Sequence, residues 1–222
     1  KIVERNFCTN IFSEINDIEE WFKKIIETSN ASVEEISINE CDSWNVDDKG
    51  NVSHNSGGFF KIIGLRTKNS TTREVGNQGW DQPIISEVNN DGGILGLVRS
   101  YIEGLPHYLV EAKFEPGNFG RIQLSPTLQA TYSNLERAHR GEKNFIKKNY
   151  FKNNYKTIRK YWVTEDGGRL YLKRNLHWII QYDGKINLPG KTYRWLTLWE
   201  LDKFIKMGHF VGPHLRSILS LV

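Results

Sequence analysis

The sequence predicts an α+β fold, and three observations carry that expectation. Helical periodicity is confined to stretches near the start, the middle and the end of the chain. The rest consists of short β-rich runs, and these are separated by turn chemistry rather than by linkers. At 222 residues, with 38% hydrophobic and 25% charged positions, the chain has length for a real core and is expected to form one module over residues 1–222.

Ile15, Ile18, Phe22, Ile25 and Ile26 recur at helical spacing, which predicts an amphipathic N-terminal helix over about 13–28. Strands are then expected near 58–66, 82–88, 94–101, 107–114 and 119–124. Turn signals punctuate them at Asp47-Asp48-Lys49-Gly50, Asn89-Asn90-Asp91-Gly92-Gly93, Gly104-Leu105-Pro106 and Glu115-Pro116-Gly117-Asn118. A middle helix is expected from about Ser133, a suitable N-cap, to Phe151, interrupted at Gly141. Glu165-Asp166-Gly167-Gly168 reads as a hairpin turn joining strands at 158–164 and 169–175, and a further strand reaches Tyr182. One sheet thus draws members from both halves of the chain. Thr197-Leu198-Trp199-Glu200 is a capping box opening a helix that Gly208 can end, and Pro213 suits the first turn of a last short helix.

Thirty Lys and Arg against 26 Asp and Glu give a net charge of +4, which suits an anionic partner without requiring nucleic acid. The basic run Lys147-Lys148-Asn149-Tyr150-Phe151-Lys152 is short and reads as a solvated helix face, so no nucleic-acid partner is expected. No apolar run reaches membrane-spanning length and no signal-peptide pattern opens the chain. With only Cys8 and Cys41 available, neither a disulfide scaffold nor a cysteine zinc site is expected, and a reducing cytoplasm is the default location. His54, His107, His139 and His177 lack metal-ligand spacing, so no metal is expected.

The most informative stretch runs from His107 to Asn118. Side chains alternate across a strand, so His107, Leu109, Glu111, Lys113 and Glu115 share one face while Tyr108, Val110, Ala112 and Phe114 share the other. An antiparallel strand with one solvated face gives the same alternation. The next run, Gln123-Leu124-Ser125-Pro126-Thr127, carries uncharged amide and hydroxyl groups suited to oriented ligand hydrogen bonds.

These residues, from His107 through Glu115-Pro116-Gly117-Asn118 and Gln123-Leu124-Ser125-Pro126-Thr127 to Gln129-Ala130-Thr131 and Ser133-Asn134, then His139 and Gly141, resemble the NDP-hexose 2,3-dehydratase family. Gly57-Gly58-Phe59-Phe60, Gly64, Arg73-Glu74-Val75, Gly79-Trp80, Gln82-Pro83, Arg194-Trp195-Leu196-Thr197-Leu198 and Arg216-Ser217 extend the likeness over about 44–222. It departs at Gly212-Pro213-His214, where the family shows a more Asn-Met-Asp-like turn. The resemblance implies a Nudix-like mixed or antiparallel sheet flanked by helices. It also implies tandem modules, whereas this chain has length for one, and a single module of that kind is expected to close as a homodimer.

The chemistry so implied is a cofactor-independent loss of water across carbons 2 and 3 of a dTDP-linked 4-keto-6-deoxyhexose. Such an elimination needs a base, a cation or donor at the developing oxyanion, and a proton for the leaving hydroxyl. Lys113 suits the oxyanion because it lies between two carboxylates; Glu115 is the candidate base, and Glu111 or His107 the second proton carrier. An ion pair between Glu115 and Lys113 is the competing structural explanation. Arg66, Arg73 and Arg121 are candidates for the diphosphate, and Trp80 for stacking on the base or hexose with Gln82 beside it. Asn118, Gln129, Thr131, Ser133 and Asn134 supply further polar contacts. A Nudix-type hydrolase would need a Glu-crowded helix, and Arg73-Glu74 is instead followed by Val-Gly-Asn-Gln-Gly. A non-catalytic nucleotide-sugar-binding module is the alternative of a different class.

Overall fold

The computed structural model describes residues 15–68, 79–87, 92–131, 155–184, 188 and 190–222. The expected middle helix, Cys8, Arg73, Ser133, Asn134 and the basic run after Lys147 lie outside them. The described chain is α+β: twelve strands in two sheets with three α-helices.

Helix α1, Ile15–Thr28, buries the stripe its spacing announces. Ile18 and Phe22 are fully enclosed, with Trp21, Ile25 and Ile26 packed at the margin. Phe22 meets Phe210 edge-on at 5.5 Å, which fixes the helix against the C-terminal part of the core. Burying such side chains stabilises the fold by roughly 2–3 kcal/mol each.

Two sheets stand where one was expected. The first is five-stranded, in the order β1 (Trp44–Val46), β2 (Val52–His54), β3 (Lys61–Thr67), β4 (Trp80–Ser86) and β10 (Leu170–Tyr171). The Asp47 turn joins β1 to β2, its carboxylate accepting from the backbone N–H of Lys49 and Asn51. The second is seven-stranded, with β5 (Ile94–Ile102), β6 (Leu105–Phe114), β7 (Ile122–Pro126), β8 (Leu128–Ala130), β9 (Tyr155–Thr164), β11 (Arg174–Tyr182) and β12 (Tyr193–Leu196). The stretch expected as the hairpin partner at 169–175 is therefore divided. Leu170 and Tyr171 run parallel to Ile85 and Ser86 of the first sheet, while β9 pairs antiparallel with β11 beyond them. Because that loop donates a strand outward, it ties the two sheets together.

The β5–β6 hairpin turns on Glu103 and Gly104, both at positive φ (48° and 80°), one residue earlier than the expected Gly-Leu-Pro turn. From there β5 and β6 pair from Ile102↔Leu105 to Val98↔Leu109 and then part. Past that point β6 pairs with β7 and β5 with β8, so the chain doubles back between them at Pro126–Leu128. Thr127 occupies the fork: its hydroxyl donates to the Leu109 carbonyl and accepts from the Val98 N–H at 2.9 Å. A buried side chain thus satisfies the two backbone groups that the separation leaves without a strand partner.

Helices close one face. α2, Leu198–Lys206, begins with the capping box the sequence announced, Thr197 N–H donating to Glu200 at 2.7 Å and Glu200 N–H to the Thr197 hydroxyl at 3.3 Å. Its Leu198, Leu201 and Phe204 enter the core, and Gly208 follows at φ 100°. The chain then pairs Leu124 with Phe210 and Gly212 along the free edge of β7. α3, Pro213–Leu219, starts from there with Pro213 in its first turn and buries Leu215, Ile218 and Leu219. The opening of the β5–β6 fork is where β6 ends, where β11 begins and where α3 starts.

Candidate active site

Tyr108, Val110 and Ala112 belong to the main core beneath the helices, while Leu109 joins a second buried cluster with Val98, Leu128, Ala130 and Ile180 on the opposite face. The alternation read from the sequence is therefore real, but both faces of β6 are covered at its middle. Only its C-terminal end carries accessible charge. There Lys113 Nζ lies 2.7 Å from Glu115 Oε1, and the same oxygen accepts from Gln129 Nε2 at 3.1 Å. Gln129 comes from β8, so this contact spans the mouth of the fork.

Two further residues arrive from distant parts of the chain. Glu165, in the loop after β9, has Oε1 at 3.8 Å from His214 Nε2 of α3. Asn175 donates to that same Glu165 oxygen and accepts at its own Oδ1 from the Gly93 N–H at 2.9 Å. Behind them His177 is fully enclosed, its Nε2 against Ser217 Oγ at 2.9 Å. The side chains of Lys113, Glu115, Glu165 and His214 keep 28%, 39%, 17% and 33% of their surface, enough for a ligand to reach each one.

Two groups here are electrostatically displaced. Burial raises the Glu111 carboxyl above the ordinary carboxylate range, opposed by a Tyr193 hydrogen bond and the Lys113 ammonium. Burial also pushes the His214 imidazole below its ordinary value. Glu165 and Glu115 pull it upward and Lys113 and His177 push it down, so all four act on one ring.

Beside this mouth a cleft of about 610 Å³ runs between the first sheet and the loop before β11. Trp80, Gln82, Tyr171, Lys173 and Arg174 line it, and Glu165 belongs both to its wall and to the charged cluster. Its volume falls within the range of small-molecule sites, roughly 300–1,000 Å³. Trp80 Nε1 donates to Gln82 Oε1 at 2.9 Å, and Gln82 Nε2 donates to the Gly168 carbonyl at 2.9 Å. Those bonds clasp β4 to the loop and orient the indole at the cleft.

The other sequence candidates are dispersed. His107 lies six positions before Lys113, about 20 Å away along an extended strand. It is buried opposite Ser100, with Nδ1 3.0 Å from the Leu105 carbonyl. Arg66 makes a two-pronged bond to Asp81 at 2.9 and 2.7 Å on the exposed side of the first sheet. Arg121 sits at φ 69° in the turn before β7 and donates to the Ala31 carbonyl at 3.1 Å. Asn118 donates to the Arg121 carbonyl, and Thr131 is exposed just past β8. Gln123, Ser125 and Thr127, which had the polarity of a ligand wall, are buried within the sheet. Gln123 donates to the His209 carbonyl, so that polarity serves the fold. Glu165 and His214 join the cluster without having been sequence candidates: Glu165 reads as a turn residue, and His214 belongs to the turn noted as a departure from the family pattern.

Among the described residues no group of three or more His, Cys, Asp or Glu is arranged to hold a metal ion, and no helix is long and apolar enough to cross a membrane.

The sequence profile of NDP-hexose 2,3-dehydratases matches residues 15–222. A dTDP-4-dehydro-6-deoxy-alpha-D-glucopyranose 2,3-dehydratase of Saccharopolyspora spinosa is 30% identical over 91% of this chain and 41% of its own length. One of Amycolatopsis orientalis is 31% identical over 92% of this chain and 44% of its own. The chain thus spans less than half the length of these curated relatives. Among solved structures, an Ap4A hydrolase of C. elegans overlaps 58% of this chain and 92% of its own at 12% identity and a TM-score of 0.32. A Nudix hydrolase of M. smegmatis overlaps 71% of this chain and 97% of its own at 12% identity and a TM-score of 0.34.

Proposed function

The chain belongs to the NDP-hexose 2,3-dehydratase family, and on that premise we propose that it removes water across carbons 2 and 3 of a dTDP-linked 4-keto-6-deoxyhexose, leaving a 3,4-diketo sugar. The observation that carries this reading is the half-exposed Lys113–Glu115 pair beside a carboxyl of raised proton affinity, Glu111, at the mouth of the fork. A 4-ketone acidifies the proton on carbon 3, and its loss puts negative charge on the carbon-4 oxygen. The Lys113 ammonium, steadied by Glu115 and through it by Gln129, is the cation for that oxygen. Collapse of the enolate expels the carbon-2 hydroxyl, and Glu111, which holds a proton more readily than an exposed carboxyl, supplies the proton that makes it water. The enol so formed tautomerises to the diketone. In this reading the nucleoside lies in the cleft at Trp80 and the hexose passes Glu165 into the mouth.

A homodimer in the cytoplasm is part of the proposal, two-fold closure being the commonest oligomer solution. Light scattering at micromolar concentration checks it, and a monomeric mass argues against it. The enzymatic reading is tested by mixing the chain with dTDP-4-keto-6-deoxyglucose and following the nucleotide sugar by mass spectrometry. Loss of one water is expected. Saturable binding without loss of water identifies a nucleotide-sugar-binding module instead and overturns the lyase.

A further inference from the structure

The Gly212-Pro213-His214 turn brings an imidazole to the mouth of the fork, within electrostatic reach of Lys113 and Glu115. Its Nε2 faces a carboxylate that is itself anchored: Asn175 holds Glu165, and the Gly93 backbone holds Asn175. That chain of contacts fixes the Glu165 carboxylate in place, at ion-pair distance from the ring. The candidate carboxylate base, Glu115, is by contrast already shared between Lys113 and Gln129.

We infer that His214, oriented by Glu165, is the base that takes the carbon-3 proton in the reaction proposed above, and this inference rests on that reading. The imidazole accepts the proton, and the C–H electron pair enters the carbon 3–carbon 4 bond, leaving the charge on the carbon-4 oxygen beside Lys113. The enolate then forms the carbon 2–carbon 3 double bond as the C–O pair departs with the hydroxyl, which takes its proton from Glu111. The imidazolium returns its proton to solvent, and Glu111 recovers one. The burial that holds His214 below the ordinary imidazole value keeps the ring neutral near pH 7, as a base must be. Lys113 from β6, Glu115 just past it, Glu165 from the loop after β9 and His177 from β11 are the ionisable groups that set its titration. Glu165 is the positioning residue: it favours the imidazolium as it forms.

The test compares wild type, His214→Gln and Glu165→Gln with a substrate carrying deuterium at carbon 3. His214→Gln is expected to lower kcat by about 100-fold, to slow loss of the deuterium to solvent equally, and to remove the acid limb of the kcat/KM profile. Glu165→Gln is expected to lose about tenfold and to move that limb to lower pH, because the carboxylate that favours the imidazolium is gone. Circular dichroism checks that both variants fold, and Glu165→Gln alone suffices if the first does not. An active wild type whose acid limb and deuterium loss are unchanged in the variants overturns the role of His214 and leaves the dehydratase standing. A folded, substrate-binding wild type without turnover overturns both.

Discussion

The two ends of β6 carry the same alternation of side chains and have opposite fates. At the N-terminal end β5 stays in register, and His107 is closed in opposite Ser100, bonded to a carbonyl of its own strand. At the C-terminal end β5 has left, β7 and β8 have entered the gap, and Lys113 and Glu115 stand at an opening. A polar residue on a strand face is thus a candidate for chemistry only where the sheet comes apart. Thr127 is the residue that lets it do so without orphaning the backbone.

The contrast is broken or sharpened most strongly by matched substitutions at the two ends. Lys113→Ala is expected to cost about 3 kcal/mol of barrier, roughly a hundredfold in diketo-sugar formation. His107→Gln should stay within about threefold of wild type in the same assay, since a buried residue remote from the mouth acts through stability. Thr127→Val comes next, removing one hydroxyl that serves two buried backbone groups. Chemical denaturation should show a loss of about 2–3 kcal/mol, most of it recovered by Thr127→Ser. In the same experiment His107→Gln is expected to lose only about 1 kcal/mol. The smallest effect depends on pH. The Glu111 carboxyl is raised in the folded state, so its contribution to stability is full below the unfolded carboxylate range and fades as pH rises through the folded value. Glu111→Gln should therefore gain in Tm relative to wild type from acid toward neutral pH, and a constant difference would count against the buried carboxyl.

Local signals were legible wherever the chain decides its structure locally. The stripe of α1, the box at Thr197–Glu200 and the alternation along β6 all come from residues within a few positions of one another. The pairing of Lys113 with Glu115, separated by one residue, was legible in the same way. The fork was not, because its cause is tertiary: a tight Glu103-Gly104 turn starts a pair that β7 and β8 later separate. Nor was β10, whose two residues have no pattern of their own and are defined by the edge of β4. Arg121 at positive φ likewise delays β7 beyond the expected start at 119. Glu165 and His214 lie 49 positions apart in sequence and meet only because both border the fork.

The most direct measurement is a crystal structure with an unreactive nucleotide-linked 4-keto sugar bound. The expected result is a carbon-4 oxygen about 3 Å from Lys113 Nζ at the mouth of the fork, with the nucleoside against Trp80. A hexose bound elsewhere, with Lys113 still turned only to Glu115, would contradict it.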